Sequence, residues 1–456
     1  MDKVKRVFSS ESTSQDAELG DLHAQIITRD AHNISRDDIS ENALKVLYRL
    51  HSSGYAAYLV GGCVRDLLLG LKPKDFDVVT DATPEQIKGL FRNCRLIGRR
   101  FRLAHIVFGR DVIEVATFRG HHSESDAGSH KNALSRQGEE GQLLRDNVFG
   151  SIDEDAQRRD FTVNAMYYNI ADYSIADYAG GVDALKAKEL ALMGDPETRY
   201  REDPVRMLRA VRFAAKLDFS ISKNTEAKIP ELANLLSNVP PARLFEEVSK
   251  LFLSGNAVAT FRLMQRYHLF GELFPQVQPL LENTAGREYR FIEKVLLNTD
   301  NRINSGLRVT PAFFYAAILW YAVEERVQQH IFEGGFNHHD AFNLSMNDVL
   351  VRQVERIAIP KRFSTGIRDI WMLQQRLAKR FGKRAYMSLE HPKFRAGYDF
   401  LLIRGEIEGG ELEELAHWWT QFQQAESGKR KNMLSSLRGN DGRKRRRRKP
   451  RNSSNS

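Results

Sequence analysis

The chain has 456 residues, of which 42% are hydrophobic and 28% are charged, and its formal net charge is +9. This length allows two to four domains with separate cores, and the composition is typical of a globular protein. The sequence shows no long apolar run and no apolar leader, so it predicts neither a membrane span nor a secretory signal. Two cysteines, Cys63 and Cys94, are too few for a disulfide framework and indicate a reducing, cytoplasmic location.

The positive charge is concentrated at the C-terminus. Residues 429–456 contain twelve Lys or Arg and one acidic residue, whereas the rest of the chain is nearly neutral. Because the run Arg443–Lys449 is unbroken Lys and Arg, we predict a disordered tail over residues 429–456. Such a tail suits sequence-independent contact with nucleic-acid phosphates, with solubility or localisation as the alternative roles.

The first part of the chain predicts a small sheet with helices. Residues 1–35 are polar and aperiodic and are predicted to be disordered, whereas Asn42–His51 has the apolar spacing of a helix. Further elements follow in the order β-α-β-α-β-β-β, at Tyr55–Val60, Val64–Leu69, Phe76–Thr80, Pro84–Phe91, Arg95–Gly98, Ala104–Phe108 and Val112–Phe118. This order indicates a mixed sheet packed against helices.

The second part is almost entirely helical. A polar stretch between these parts predicts a mobile surface insertion over residues 121–147. Apolar periodicity then predicts helices over Pro204–Leu217, Pro241–Leu253, Ala257–Tyr267, Arg290–Asn298, Pro311–Val323, Ile367–Phe381 and Glu411–Gln424. The predicted fold class is therefore α+β, with a head domain at 36–195, a helical neck at 196–275, a helical body at 276–428 and the basic tail.

A glycine pair and two carboxylates carry the strongest chemical signal. Gly61 and Gly62 end an apolar strand, and Asp75 and Asp77 follow at a spacing that puts both side chains on one face of a strand. Glycines let a phosphate approach the backbone, and paired carboxylates suit magnesium ions. The pattern predicts two metal ions roughly 4 Å apart, which activate a 3′-hydroxyl and hold a triphosphate.

A third carboxylate usually completes such a site, and two residues are candidates. Glu114 alternates with apolar neighbours in a strand, so its side chain should face away from the core. Asp160 follows Arg158 and Arg159, which form either a local ion pair or a clamp for a triphosphate. Both carboxylates remain candidates at this point.

An arginine-rich helix provides a second candidate region. Pro204 at the helix start follows the acidic residue Asp203. The arginines of this helix recur every three residues, at Arg206, Arg209 and Arg212. They form either a solvated stripe or a phosphate-binding face, and a carboxylate with an arginine one turn later can read a base edge.

Two other features have ordinary explanations. Cys63 lies beside the glycine turn, but no motif supports a nucleophile, so we predict a small buried apolar residue. The sequence His338-His339-Asp340 is similar to the His-Asp pair of metal-dependent phosphohydrolases, but no convincing further ligands follow it.

Five motifs between residues 55 and 220 resemble the class II nucleotidyltransferases of the polymerase-β superfamily: LVGGCVRDLLLG, KPKDFDVVT, IEVATFRG, RRDFTVNAM and EDPVRMLRAVRFAAKL. The resemblance implies a polymerase-β-like head followed by helical regions. It also implies that Asp75 and Asp77 hold two magnesium ions. Among the remaining motif residues, Gly62 and Arg65 would contact the nucleotide, Arg159 its phosphates, Asp203 and Arg206 the incoming base, and Arg209 and Arg212 the triphosphate or that base-reading pair.

This superfamily contains bacterial poly(A) polymerases and CCA-adding tRNA nucleotidyltransferases. The segment around Arg99–Arg102, the helical region and the basic tail resemble the poly(A) polymerases, which implies addition of AMP from ATP to RNA 3′ ends. The implied substrates are mRNA, small RNAs and tRNA precursors, and RNA-decay proteins are possible partners of a monomeric enzyme. The alternatives are a CCA-adding enzyme and a catalytically inactive RNA-binding protein of the same fold.

Overall fold

The computed structural model of the protein describes residues 23–98, 102–120, 136–137, 143–145 and 149–446. The chain divides between Ala187 and Lys188 into two compact units, called here the head unit and the helical unit. Within the described residues, no helix combines the length and apolar character needed to cross a membrane. The α+β fold class predicted from the sequence is confirmed.

An eight-stranded sheet forms the centre of the head unit. Its strands are β1 (Gln25–Ile27), β2 (Ala57–Val60), β3 (Asp77–Thr80), β4 (Cys94–Ile97), β5 (Leu103–Phe108), β6 (Asp111–Thr117), β9 (Met166–Asn169) and β10 (Ile175–Asp177). Their spatial order is β1-β10-β9-β2-β3-β6-β5-β4. Only β3 and β6 pair in parallel within this sheet; all the other neighbours are antiparallel. The sheet is therefore mixed, as the sequence predicted.

Short helices cover this sheet. They are α1 (Glu41–Ser52), α2 (Gly62–Leu68), α3 (Pro84–Leu90), α4 (Ile152–Gln157) and α5 (Gly181–Ala187). The α1 helix begins where the Ser40 side chain accepts a hydrogen bond from the Ala43 amide, and it buries Val46, Leu47 and Leu50. Burial of each such side chain stabilises the fold by roughly 1.5–3 kcal/mol.

The N-terminal prediction is wrong for residues 23–35. Strand β1 lies within the segment predicted to be disordered and pairs with β10 at the edge of the sheet. Strands β9 and β10 were also missed by the sequence analysis. The three residues of β1 carry too little periodicity to predict a strand, because the pairing partner lies about 150 positions away along the chain.

The helical unit contains fifteen helices in the described part of the chain. They are α6 (Pro196–Glu202), α7 (Val205–Leu217), α8 (Lys223–Leu232), α9 (Pro241–Phe252), α10 (Ala257–Arg266), α11 (Leu269–Leu273), α12 (Arg287–Asn304), α13 (Pro311–Ile318), α14 (Trp320–Gly334), α15 (His338–Arg356), α16 (Lys361–Ala378), α17 (Lys383–Leu389), α18 (Phe394–Glu408), α19 (Gly410–Gln424) and α20 (Ser427–Arg446). Two short strands, β11 (Glu189–Leu190) and β12 (Ser220–Ile221), pair in parallel beside α7.

Two expectations for this unit need correction. The single helix predicted over Pro311–Val323 is two helices, α13 and α14, because the chain turns at Leu319. The residues on both sides of the turn are almost all buried, so apolar spacing could not reveal the break.

The basic tail also differs from the prediction. Helix α20 covers residues 427–446, where the sequence indicated disorder, and residues 447–456 lie outside the described part. Lys, Arg, Leu and Met are good helix formers, which accounts for this helix. Most of the predicted insertion at 121–147 is likewise outside the described residues, apart from two short paired strands, β7 (Arg136–Gln137) and β8 (Leu143–Arg145).

Candidate active site

The glycine pair forms the turn between β2 and α2. Gly61 has a φ of 74°, which favours glycine over residues with a side chain. A Cβ atom at Gly61 would lie 3.3 Å from Nη1 of Arg159, and one at Gly62 would lie 3.5 Å from Nη2 of Arg65. The turn therefore requires glycine at Gly61 for its backbone shape and leaves little room beside two guanidinium groups.

The carboxylates lie where β3 begins. Asp77 is the first residue of β3 and is the register partner of Glu114 in the neighbouring parallel strand β6. Asp75 precedes the strand by two residues, so the prediction that both carboxylates share one strand face is wrong for Asp75. All three carboxylate residues are exposed. Glu114 Oε1 lies 3.4 Å from Nε2 of His105 on β5. The sheet thus brings together Asp77 and Glu114, which are 37 positions apart in the sequence.

The pKa of Asp77 is raised mainly by removal of the carboxylate from water and further by neighbouring negative charge. Partial burial raises this pKa to about 6, and the negative charges of Glu114 and Asp75 add to the rise, while Arg159 opposes it. An ion with positive charge would relieve the same repulsion. These carboxylate oxygens are hard ligands of the kind that magnesium prefers. Their chemistry fits magnesium, although no group of three or more His, Cys, Asp or Glu in the described residues is positioned to hold a metal.

Arg159 is held in place by two buried groups. Its Nε donates to the Tyr167 hydroxyl at 2.8 Å, and its Nη2 donates to Asp155 Oδ2 at 2.9 Å. The Tyr167 hydroxyl in turn donates to the same Asp155 oxygen at 2.7 Å. Burial lowers the pKa of Arg159, but Tyr167 and Asp155 more than offset this, so the net pKa is above its ordinary value. A fixed, permanently charged guanidinium therefore stands beside the Gly61 turn.

Arg65 lies beneath the turn as part of a buried network. It is 2% exposed and its Nη1 donates to Asn164 Oδ1 at 2.8 Å, while its Nε donates to Asp66 Oδ1. Asn164 donates to Asp160 Oδ1 at 3.1 Å, and the same oxygen accepts the Phe161 amide. In this structure both Arg65 and Asp160 therefore support the loop around the turn. Their roles in contacting nucleotide or metal remain predictions.

Asp203 in the helical unit lies between α6 and the arginine-rich helix α7, two residues before α7 begins. Its Oδ1 accepts the Val205 amide at 3.2 Å, at the start of α7, and its Oδ2 accepts Nη2 of Arg243 from α9 at 2.7 Å. Arg206 is 8% exposed, and its Nη1 donates to Glu202 Oε2 at 2.7 Å and to the Arg199 carbonyl oxygen. The carboxylate and the guanidinium of the predicted base-reading pair are thus each anchored by another residue.

Arg209 and Arg212 lie one and two turns further along α7. Both guanidinium groups stack on the ring of Phe213, with centroid distances of 5.3 Å for Arg209 and 4.5 Å for Arg212. Because Arg206 is buried and these two are partly exposed, the three arginines do not form one evenly solvated stripe. The sequence analysis left that stripe open as an alternative.

Several residues that shape these regions were missed by the sequence analysis. Asp155 and Tyr167 lie four and eight positions from Arg159 along the chain. In contrast, Asn164 lies 99 positions from Arg65, and Arg243 lies 40 positions from Asp203. The sequence offered only a weak signal for one of them, because Asn164 lies inside the motif RRDFTVNAM.

The structure shows local roles for the two features that were given ordinary explanations. Cys63 is buried, burial raises its pKa to about 12, and its thiol donates to the Val60 carbonyl oxygen. The segment His338–Asp340 begins α15, where Asn337 caps the helix by accepting the His339 and Asp340 amides.

Profiles of known families match three parts of the chain. They are "Poly A polymerase head domain" at residues 57–191, "Probable RNA and SrmB- binding site of polymerase A" at residues 218–281 and "Polymerase A arginine-rich C-terminus" at residues 334–453. The first of these contains the glycine turn and all the candidate carboxylates of the head unit.

Solved structures with a similar fold include two CCA-adding enzymes. The enzyme of Bacillus stearothermophilus in complex with CTP is 24% identical with a TM-score of 0.53, covering 87% of this chain and 82% of that chain. The enzyme of Thermotoga maritima complexed with tRNA is 21% identical with a TM-score of 0.57, covering 85% and 84%. At these identities the likeness shows the fold alone. The fold and the profile matches define a nucleotidyltransferase of the polymerase-β type.

Curated relatives narrow this class. Poly(A) polymerase I of Salmonella typhimurium is 54% identical over 98% of this chain and 96% of its own length. The same enzyme of Haemophilus influenzae is 53% identical over 88% of both chains, whereas a CCA-adding enzyme of Lactobacillus helveticus is 34% identical over 50% of this chain and 53% of its own. The chain belongs to the poly(A) polymerase I family of bacterial nucleotidyltransferases.

Proposed function

We propose that the chain adds AMP from ATP to RNA 3′ ends without a template strand and releases pyrophosphate. The observation that carries the proposal is the pairing of Asp77 with Glu114 beside the Gly61 turn. Near-full-length similarity to enzymes named poly(A) polymerase I supports adenylyl transfer over the other reactions of the superfamily.

Asp75 and Asp77 would hold two magnesium ions. When bound, these ions supply charge that favours ionisation of the RNA 3′-hydroxyl and offsets negative charge on the departing pyrophosphate. The 3′-oxygen forms a bond to the α-phosphorus of ATP, and the bond from that phosphorus to the bridging oxygen of pyrophosphate breaks. The raised pKa of Asp77 supports this role, because desolvation and the negative charges of Glu114 and Asp75 both disfavour a carboxylate that has no counter-ion.

The chain's own residues would position the nucleotide. The Gly61 and Gly62 turn lets the backbone approach the triphosphate, and the fixed guanidinium of Arg159 offers a charged donor to its phosphates. We further propose that Asp203 and Arg206 read the adenine edge, with Arg209 and Arg212 supporting them or the triphosphate. Arg65 would act beneath the turn, through Asn164 and Asp66.

The third carboxylate is tested by comparing Glu114 with Asp160. Glu114→Gln and Asp160→Asn each remove one charge while keeping the side-chain shape and one acceptor oxygen. We expect at least one of the two variants to lose a hundredfold or more in activity, about 2.7 kcal/mol of transition-state stabilisation. Two fully active variants would show that the site works with Asp75 and Asp77 alone.

The wider proposals rest on the family. We propose a role in mRNA processing and decay, in the cytoplasm, with RNA-decay proteins as further partners and a monomeric enzyme. Two free cysteines are consistent with a reducing compartment. The regions at 196–275 and 276–428 are proposed to bind nucleotide and RNA, and the basic tail at 429–456 to add sequence-independent contacts to RNA phosphates.

A nucleotide-preference assay tests the proposed reaction. The full chain is incubated with magnesium and either ATP or CTP, on a tRNA that lacks its CCA end and on an unstructured RNA. We expect long products with ATP on both RNAs and little incorporation of CTP. Addition of two nucleotides from CTP alone, and of a third only when ATP is also present, would instead identify a CCA-adding enzyme. No incorporation at all would favour an inactive RNA-binding protein.

A further inference from the structure

A large cavity in the described residues is lined only by residues of the helical unit, none of which is assigned to a site above. Its volume is about 900 Å³, and its walls come from α12, α13, α16, α18 and α19. This volume lies towards the upper end of the roughly 300–1,000 Å³ that is typical of small-ligand sites. The proposed reaction does not use this cavity.

Close helix packing fixes the walls. A Cβ atom at Gly366 on α16 would lie 3.1 Å from the Ala312 Cβ on α13, and one at Gly405 on α18 would lie 3.1 Å from the Ala416 Cβ on α19. At these distances the two helices of each pair cannot pack any closer at these points. The shape of the cavity is therefore set by the packing of these helices.

The floor of the cavity is largely apolar. Ala312, Ile370 and Ile403 are buried, and the partly exposed ring of Phe313 also lines the cavity. That ring packs edge-to-face against Phe400 at a centroid distance of 6.2 Å, which holds it in place. An apolar floor with an aromatic ring suits the flat face of an unpaired nucleobase.

The rim carries more positive than negative charge. Two of its cations are paired within the rim, Lys294 with Glu406 and Arg395 with Asp399. Three others, at Arg302, Arg308 and Lys393, take part in none of the ion pairs found among the described residues. Exposed cations are common on any surface, but these three border one concave, apolar site. Charge complementarity therefore favours an anionic ligand.

The distribution of these cations favours a strand of phosphates. Arg302 lies near the end of α12, Arg308 lies in the loop that follows, and Lys393 immediately precedes α18. Cations from separate segments of a rim match phosphates repeated along a backbone better than a single compact triphosphate. A duplex would keep its base faces stacked inside, so the aromatic floor favours a single strand.

We propose that this cavity binds a single-stranded segment of the RNA substrate, with a base on the Phe313 floor and phosphates at Arg302, Arg308 and Lys393. The proposal rests on the proposed function, because it takes RNA as the substrate. It assigns the helical unit a defined nucleotide-binding pocket, where family resemblance indicated only a general RNA-binding region.

Binding of the full chain to a single-stranded RNA oligonucleotide tests the proposal without ATP or catalysis. The pocket variant combines Arg302→Ala, Arg308→Ala and Lys393→Ala. Its matched control combines Arg352→Ala, Lys361→Ala and Arg384→Ala, which removes the same charge from exposed positions of the helical unit outside the cavity. The dissociation constant is measured by fluorescence anisotropy between about 50 and 200 mM salt, and thermal unfolding checks the fold of both.

We expect the pocket variant to bind RNA at least tenfold more weakly than the control at the lower salt. Each lost phosphate contact on a single strand reduces the salt slope by about 0.7, so the slope should fall by about 2. A fourfold rise in salt would then weaken the pocket variant about 16-fold less than the control. Equal dissociation constants and slopes for the two variants would overturn the proposal.

A steric variant separates shape from charge. Ala396 lines the cavity and is partly exposed, so Ala396→Phe should narrow the site without changing its charge. We expect RNA binding to weaken several-fold with an unchanged salt slope. Unchanged binding would contradict a base within the cavity, even if the cations mattered.

Equilibrium dialysis with ATP identifies the source of the nucleotide. If the pocket variant loses one bound ATP while its RNA binding matches the control, the cavity takes a free nucleotide and the proposal is wrong. Failure here is also distinct from failure of the proposed reaction. A chain that makes poly(A) but ignores the pocket substitutions refutes only the pocket, whereas a chain that binds RNA here without adding AMP refutes only the reaction.

Discussion

The candidate carboxylates of the head unit and the charged residues around α7 differ in how far neighbouring protein groups balance their charges. At the start of β3, Asp77 faces other negative groups and its pKa is raised to about 6. At the start of α7, Asp203 accepts a hydrogen bond from Arg243, and Arg206 donates to Glu202. The first region thus has a charge that an external cation can balance, whereas the second has charges balanced within the protein. The difference supports the two proposals made above, which are metal binding in the first region and base recognition in the second.

The strongest test of this contrast is the loss of a carboxylate from the first region. Asp77→Ala should lower the rate of AMP incorporation by at least a thousandfold, about 4 kcal/mol of transition-state stabilisation, because a metal ligand is lost. The measurement is single-turnover extension of an unstructured RNA. Asp37→Ala, which changes an exposed carboxylate elsewhere in the head unit, is the control and should keep full activity. If the activity of Asp77→Ala is within tenfold of the control, Asp77 is not part of the active site.

The next largest expected effect comes from a substitution of Arg159 that keeps the positive charge but changes the geometry of the side chain. Arg159→Lys retains a cation but loses the two separate donors that reach Tyr167 and Asp155. We expect kcat/KM for ATP to fall about a hundredfold, as for a misplaced phosphate contact. Arg110→Lys, which changes an exposed arginine elsewhere in the head unit, serves as the control. If both variants lose the same activity, the fixed position of Arg159 has no special importance.

A smaller effect is expected where charges are already paired. Arg243→Ala frees Asp203 Oδ2, so the carboxylate can adopt other orientations. We expect the preference for ATP over CTP, taken as a ratio of kcat/KM values, to fall about tenfold, near 1.4 kcal/mol. Arg266→Ala breaks a similar pair with Glu226 elsewhere in the helical unit and should leave the preference unchanged. An unchanged preference for ATP over CTP in Arg243→Ala would show that Arg243 does not contribute to base selection.

The smallest expected effect is on stability. Because the folded pKa of Asp77 is raised, its ionised form destabilises the metal-free fold above about pH 6, and this cost disappears below the unfolded pKa near pH 4. Asp77→Asn should therefore raise the free energy of unfolding slightly at pH 7.5 in a chelator, by less than about 1 kcal/mol because the residue is exposed. The gain should vanish at about pH 4. A gain that grows on acidification would contradict the sign of the shift.

The sequence predicted those parts of the site that are close together along the chain. Gly61, Gly62, Asp75 and Asp77 lie within a span of 17 residues, and their spacing indicates a turn and a strand face. The turn and the strand that begins at Asp77 are observed, whereas Asp75 lies before that strand. Helix α3 was predicted for the same reason, since its capping box, Thr83 with Gln86, is a local pattern.

Long-range contacts could not be predicted in this way. The parallel register of β3 and β6 brings Glu114 beside Asp77, and the contact between α9 and α7 brings Arg243 to Asp203. Neither local spacing nor helix periodicity contains this information. The same limit applies to β1, whose pairing with β10 depends on the folded sheet and not on its own short sequence.

Metal-specificity rescue tests the central claim, that Asp77 binds a metal ion, most directly. Asp77→Cys replaces a hard oxygen ligand with a thiol that binds softer ions better. AMP incorporation by this variant is measured with magnesium alone and with added manganese or cadmium, beside the original chain. We predict an inactive variant with magnesium and a recovery of at least tenfold with the softer ion. Full activity of Asp77→Cys with magnesium alone would contradict the account.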